Sequence, residues 1–199
     1  MIIGIDFDNT IVNYDGVFAE AAAEKNLLPE NRLKTKESVK QVLLGQGRET
    51  DWTELQGYVY GTKMDDAGIY QGVEDFICKC AELGWETIVV SHKTNHPVIG
   101  PRYDLHAAAL QWIKSTGLKV NDVFFETTRE DKYARIASAR CAVFVDDLPG
   151  FLLDSGFPEE VDRILFDPNN QYGESDELMR FNSWEAIQTL LLEILTLPD

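Results

Sequence analysis

The chain has 199 residues, with 34 Asp and Glu against 18 Lys and Arg, a formal excess of 16 negative charges. A hydrophobic fraction of 44% is that of a folded globular protein, and the length suits one compact domain carrying at most a small insertion. This acidity argues against a nucleic-acid polymer or an anionic membrane as a broad-surface partner, because the long-range field repels both; a small anion at a locally neutralised site remains open.

The first apolar run, Ile2–Ile5, reads as a short strand. It is too brief for a signal segment, has no basic residue ahead of it, and leads directly into Asp6-Phe7-Asp8-Asn9-Thr10. From Tyr14 to Tyr70 no convincing strand follows, only helical periodicity at Val17–Leu27, Thr35–Leu44 and Trp52–Thr62. A connection of that length far exceeds the usual few residues, so residues 14–70 read as a helical insertion over one edge of a sheet. The α/β core would then comprise residues 1–13 and 71–199.

The remaining elements alternate. A helix over Val73–Leu83 precedes Gly84, and the strand Thr87–Val90 leads to Ser91. The loop His92–Tyr103 holds two of the three histidines with Lys93 and Arg102. The next helix, Tyr103–Ser115, sets Leu105, Ala109, Trp112 and Ile113 on one face ahead of Gly117. Then come a strand at Val123–Phe125, a helix at Asp131–Ala139, strands at Ala142–Val145 and Ile164–Phe166, and a closing helix at Trp184–Leu195. Strands with little polar alternation are buried on both faces, and their alternation with helices predicts an open, mainly parallel, Rossmann-like α/β sheet sandwiched by helices.

Three strand ends carry the chemistry. Asp6 and Asp8 follow the first strand, Ser91 the second and Asp146-Asp147 the fourth, with Lys132 in the helix before the fourth. In open α/β sheets that edge is where ligands bind. Four converging carboxylates repel one another unless a cation sits among them, and all-oxygen ligands suit a hard ion such as Mg²⁺. Lys132 is preferred to Lys114, Lys119 and Arg135 for its place just upstream of the Asp146 strand. Cys78, Cys80 and Cys141 are odd in number and lack CxxC spacing, so neither a disulfide framework nor a zinc site is expected; a reducing cytoplasm fits best. No apolar run approaches the roughly 18 residues of a membrane span.

The order Asp-x-Asp-x-Thr, Ser, Lys, Asp-Asp, each at its strand end or helix start, resembles the haloacid dehalogenase (HAD) superfamily of phosphohydrolases. The resemblance implies Asp6 as nucleophile, Asp8 as general acid and base, Ser91 as donor to a phosphoryl oxygen and Lys132 as its counter-charge. It implies Mg²⁺ held by Asp6, the Asp8 carbonyl and Asp147, with Asp146 ligating through water or orienting Lys132. Thr10 would support the loop and orient Asp8. The insertion matches the family's first type of helical cap, in which Arg48, after Gly45-Gln46-Gly47, is a candidate for a substrate anion. His92 and Lys93 are further substrate-binding candidates. The activity implied is Mg²⁺-dependent hydrolysis of a small phosphorylated metabolite, a sugar phosphate or nucleotide. Alternatives are a phosphomutase or phosphotransferase on the same residues, or a regulatory binding module retaining the fold. Nothing in the sequence indicates an oligomeric state.

Overall fold

The computed structural model describes residues 1–29, 35–173 and 177–196. They form two compact units, one of Met1–Ile11, Ile69–His92 and Lys119–Asp199, the other of Val12–Gly68 and Lys93–Leu118.

The first unit is built on a six-stranded sheet. Its strands are β1 (Ile2–Ile5), β4 (Glu86–His92), β5 (Asp122–Glu126), β6 (Val143–Asp146), β7 (Asp162–Phe166) and β8 (Met179–Phe181), in the order β5-β4-β1-β6-β7-β8. Every pairing is parallel. The order reverses at β1, the position at which open α/β sheets place their ligand crevice. Side-chain alternation divides the sheet into two covered faces. Ile88, Val90, Phe144 and Leu165 pack with Tyr133 and Ile136 of α6 (Arg129–Ser138) and with Phe151 and Leu152 of α7 (Pro149–Leu152). Phe166 instead meets Trp184 of α8 (Trp184–Thr196), which also contacts Phe76 of α4 (Val73–Glu82).

Gly4 in β1 is required by close packing: a Cβ there would sit 2.9 Å from Cys141 Sγ and collide with the Phe144 ring. Gly84 and Gly117 both adopt the left-handed conformation (φ 71° and 72°) that helix ends favour. Two elements packed on or in this sheet escaped the sequence reading. Three-residue β8 and four-residue α7 are too short to show a period.

The second unit holds α1 (Val17–Glu24), α2 (Lys36–Gly45), α3 (Glu49–Thr62) and α5 (Leu105–Thr116). Thr35 caps α2, its side chain accepting from Ser38 N. The inward face of α5 is Leu105, Ala109, Trp112 and Ile113, as its periodicity predicts. Two-residue β2 (Val12–Asn13) and β3 (Gly68–Ile69) form a separate small sheet. β3 therefore falls inside the stretch read from sequence as strand-free.

Residues 93–118, assigned from sequence to the α/β core, cluster here with the helices. The reason lies in α3. Gly57 and Gly61, four residues apart and so on one helix face, present bare backbone to Pro97 and Tyr103, and a Cβ at either position would collide with those side chains. Trp112 adds a buried anchor, its Nε1 donating to the Ala67 carbonyl at 2.9 Å.

Candidate active site

The Asp6–Thr10 segment turns sharply at the carboxyl end of β1. Asn9 adopts a left-handed φ of 64°, which Asn tolerates better than most residues, and Ile11 N donates back to the Phe7 carbonyl at 3.1 Å. Phe7 is fully buried and meets Phe125 edge-on, anchoring the turn between the two acids. Asp6 N donates to the Val145 carbonyl at 2.9 Å, which brings the end of β1 beside the end of β6.

There the acids converge. Asp6, Asp146 and Asp147 each offer a carboxylate oxygen within 4.8 Å of the others, the one such potential metal-binding group among the described residues. Lys132 reaches in from the first turns of α6, whose start is capped by Thr128 accepting from Asp131 N. Its Nζ donates to Asp6 Oδ1 and Asp146 Oδ2, both at 2.7 Å. Asp146 Oδ1 accepts from Leu148 N at 2.9 Å, so both of its oxygens are engaged. The site is nearly dry, with the side chains of Lys132, Asp146 and Asp6 only 4%, 1% and 9% exposed.

Burial dominates the electrostatics. It raises the Asp146 carboxyl to about 6, assisted by Asp6 and opposed by Lys132. Burial also works against the Lys132 ammonium, but Asp146 and Asp6 outweigh it and hold Lys132 above its ordinary value. Lys132 is therefore a fixed positive charge at any working pH. A donor set of carboxylate oxygens fits a hard divalent cation, and within it both oxygens of Asp146 are already committed to Lys132 and Leu148.

The other residues singled out from sequence lie on the turn after β1, on β4 and in the second unit. Ser91 is buried within β4 rather than beyond it, and lies one register step past Val90 on the edge where β4 flanks β1. Asp8 is half-buried. Thr10 is fully buried, but its hydroxyl has no hydrogen-bond partner, so the expected support of Asp8 through that hydroxyl is absent. Its carbonyl accepts from Trp184 Nε1 at 3.2 Å. His92 is exposed at the end of β4 and its Nε2 lies 3.1 Å from the Thr127 carbonyl.

Lys93 and Arg48 belong to the second unit. Lys93 is buried, with Nζ 4.7 Å from the Tyr60 ring centroid. Arg48 donates through Nε to Asp51 and through a terminal nitrogen to the Leu27 carbonyl, both at 2.6 Å, and thereby ties α3 to the end of the α1 region. The loop beyond Lys93 is closed on itself: His96 Nδ1 lies 2.8 Å from the Tyr103 carbonyl and His106 Nε2 lies 2.7 Å from that of Lys93.

Sequence reasoning passed over the aromatic surroundings of Lys132. Its Nζ lies 4.0 Å from the Phe151 ring centroid and 5.2 Å from that of Phe144. The available signal was Asp146-Asp147-Leu148-Pro149-Gly150-Phe151, where proline suits the first turn of a helix immediately after the acids.

No protein-family model and no curated protein matches this sequence. Solved structures do match. A HAD-superfamily hydrolase from Ehrlichia chaffeensis superposes with a TM-score of 0.61 at 12% identity, covering 98% of this chain and 97% of its own. The chain has the haloacid dehalogenase fold. A protein described as a predicted phosphatase from Clostridium acetobutylicum has the same TM-score at 15% identity, over 96% of this chain and 98% of that one. The HAD-hydrolase YfnB of Bacillus subtilis, solved bound to magnesium, reaches 0.56 at 12% identity over 98% of both chains. Identities this low carry the HAD fold and nothing finer.

Proposed function

We propose that the protein is a magnesium-dependent phosphomonoesterase that acts through an aspartyl-phosphate on a small phosphorylated metabolite of the sugar phosphate or nucleotide class. The observation that carries this reading is the cluster of Asp6, Asp146 and half-buried Asp147, with the Lys132 ammonium bonded to the first two, at the switch point of a HAD sheet. The hydrolases and phosphatase among its structural neighbours support it, and the magnesium-bound neighbour supports the choice of ion.

Asp6 supplies the nucleophile. Lys132 occupies Oδ1, so a carboxylate oxygen remains to attack phosphorus in line, forming the Asp6–phosphoryl bond as the ester P–O bond breaks. Asp8 gives its proton to the departing alkoxide. It then takes a proton from the water that cleaves the acyl phosphate, releasing inorganic phosphate and restoring both carboxyls. Lys132 and Ser91 face the charge on the phosphoryl oxygens. Asp6, Asp147 and the Asp8 carbonyl would hold Mg²⁺, which when bound neutralises charge on the phosphoryl group and aligns it with the nucleophile.

The test is release of phosphate from an aryl phosphate by the purified protein. Activity that requires Mg²⁺ and disappears in Asp6→Asn supports the mechanism. Turnover in EDTA, or a fully active Asp6→Asn variant, overturns it. A panel of phosphorylated metabolites then identifies the substrate.

A further inference from the structure

We infer that Phe151 is a positioning residue for Lys132, its ring forming the third wall of the seat in which that ammonium is held. Lys132 is tethered on one side to Asp6 and on another to Asp146, each at 2.7 Å. Two hydrogen bonds to acceptors at the ends of different strands leave a long, four-carbon side chain free to pivot about the line joining them. The Phe151 centroid, 4.0 Å from Nζ, lies within cation–π range, and both groups are buried to 3% exposure or less. In such desolvated surroundings a ring face stabilises a cation more than it does at a surface.

Phe151 is itself fixed. It stacks on Tyr133 with centroids 4.7 Å apart and planes 22° from parallel, and Tyr133 adjoins Lys132 on α6. Phe157 closes on it edge-on at 5.8 Å. Leu148 N, bonded to Asp146, starts the turn that returns the chain to Phe151 five residues after Asp146. The segment that delivers the acids therefore also delivers the ring. One short stretch sets both the negative and the π-electron contacts of the ammonium.

This assignment rests on the phosphohydrolase reading for its catalytic consequence, but the seat itself is measurable without activity. The decisive substitution is Phe151→pentafluorophenylalanine, which keeps the ring's shape and removes its negative face. Phe151→Leu removes the ring, Phe151→Tyr keeps it, and Leu178→Ala truncates another side chain of the same buried cluster as a control for packing.

The pentafluoro and Leu variants should lose about ten-fold in kcat/KM on an aryl phosphate with Mg²⁺ saturating. Phe151→Tyr should recover most of that loss, and Leu178→Ala should turn over normally per folded molecule. In urea unfolding with EDTA, the pentafluoro change should raise the unfolding equilibrium constant about ten-fold, and in a Lys132→Met background it should not. A pentafluoro variant equal to wild type in that unfolding cycle would reduce Phe151 to packing and overturn the inference. A protein with no phosphatase activity would instead sink the phosphohydrolase reading, while the unfolding cycle still decides the seat.

Discussion

Replacing Lys132 by methionine removes one cation from between two buried carboxylates at nearly constant volume. Both partners sit at 2.7 Å with side chains no more than 9% exposed, so neither can turn to water for compensation. Removing one partner of a buried pair costs about 3–5 kcal/mol, because the charge left behind is uncompensated. The penalty depends on pH in a definite direction. Burial already raises folded Asp146 to about 6 from its ordinary 3.8, so the group's favourable contribution is complete below pH 3.8 and is lost as pH rises through about 6. Without Lys132 the folded carboxyl rises further, and the metal-free variant keeps losing stability above pH 6 where the wild type has levelled off. The gap in unfolding free energy should widen by about 1.4 kcal/mol per pH unit between pH 6 and pH 8, until the variant's carboxyl is ionised. Urea unfolding of both proteins in EDTA at the two pH values measures it. A gap below about 1 kcal/mol at pH 8, or one that narrows with rising pH, would refute the claim that Lys132 neutralises buried acids.

Mg²⁺ should raise the melting temperature more at pH 7.5 than at pH 5.5, because protonating Asp146, whose carboxyl lies at about 6, removes one of the negative charges that attract a divalent cation to the cluster; an equal or reversed effect in thermal-shift assays contradicts the site. Under native conditions a thiol reagent should modify Cys78 alone, since it is exposed while burial pushes Cys80 up to about 12 and Cys141 up to about 11; in denaturant all three should react. Gly4→Ala should destabilise the protein by about 1–3 kcal/mol in urea, since the added Cβ overlaps Phe144 and Cys141. Trp112→Phe should cost about 1–3 kcal/mol in the same assay by leaving the buried Ala67 carbonyl without its indole donor.

The sheet was legible because its strands obey local rules. Ile2–Ile5 was found with its observed bounds, and the α5 face was found residue by residue, because burial on a regular element leaves a period in the sequence. The acid cluster was legible because Asp6 and Asp146-Asp147 lie at the ends of such strands. What stayed hidden was set by contacts between distant segments. Gly57 and Gly61 look like weak points of a helix, and only the approach of Pro97 and Tyr103 explains them. Arg48 reads as a free cation after a glycine-rich turn, yet the Leu27 carbonyl and Asp51 absorb its guanidinium. Phe151 is marked in the sequence only by the proline-started turn after the acids, which does not reveal its closeness to Lys132. Residue type and spacing reveal which atoms are available for chemistry, whereas the partner each one has taken depends on tertiary packing.

The charge of the site bears on how an acidic protein can receive a phosphate. Three carboxylates and one ammonium leave Asp6, Asp146, Asp147 and Lys132 with a net charge of −3 + 1 = −2 when all are ionised. One divalent cation would bring that to zero, and Asp8, in the acid role proposed for it, would add no charge. An incoming phosphate would then meet a locally balanced group rather than the field of a chain with 16 excess negative charges. Lys132 is indispensable to that balance. Without it the cluster would stand at −3, and a divalent ion would leave a residual −1 facing the anionic substrate in a nearly dry site, where repulsion is least screened. The same lysine therefore makes the acids tolerable to the fold and, on the proposed function, would let one bound divalent ion suffice for an anionic substrate.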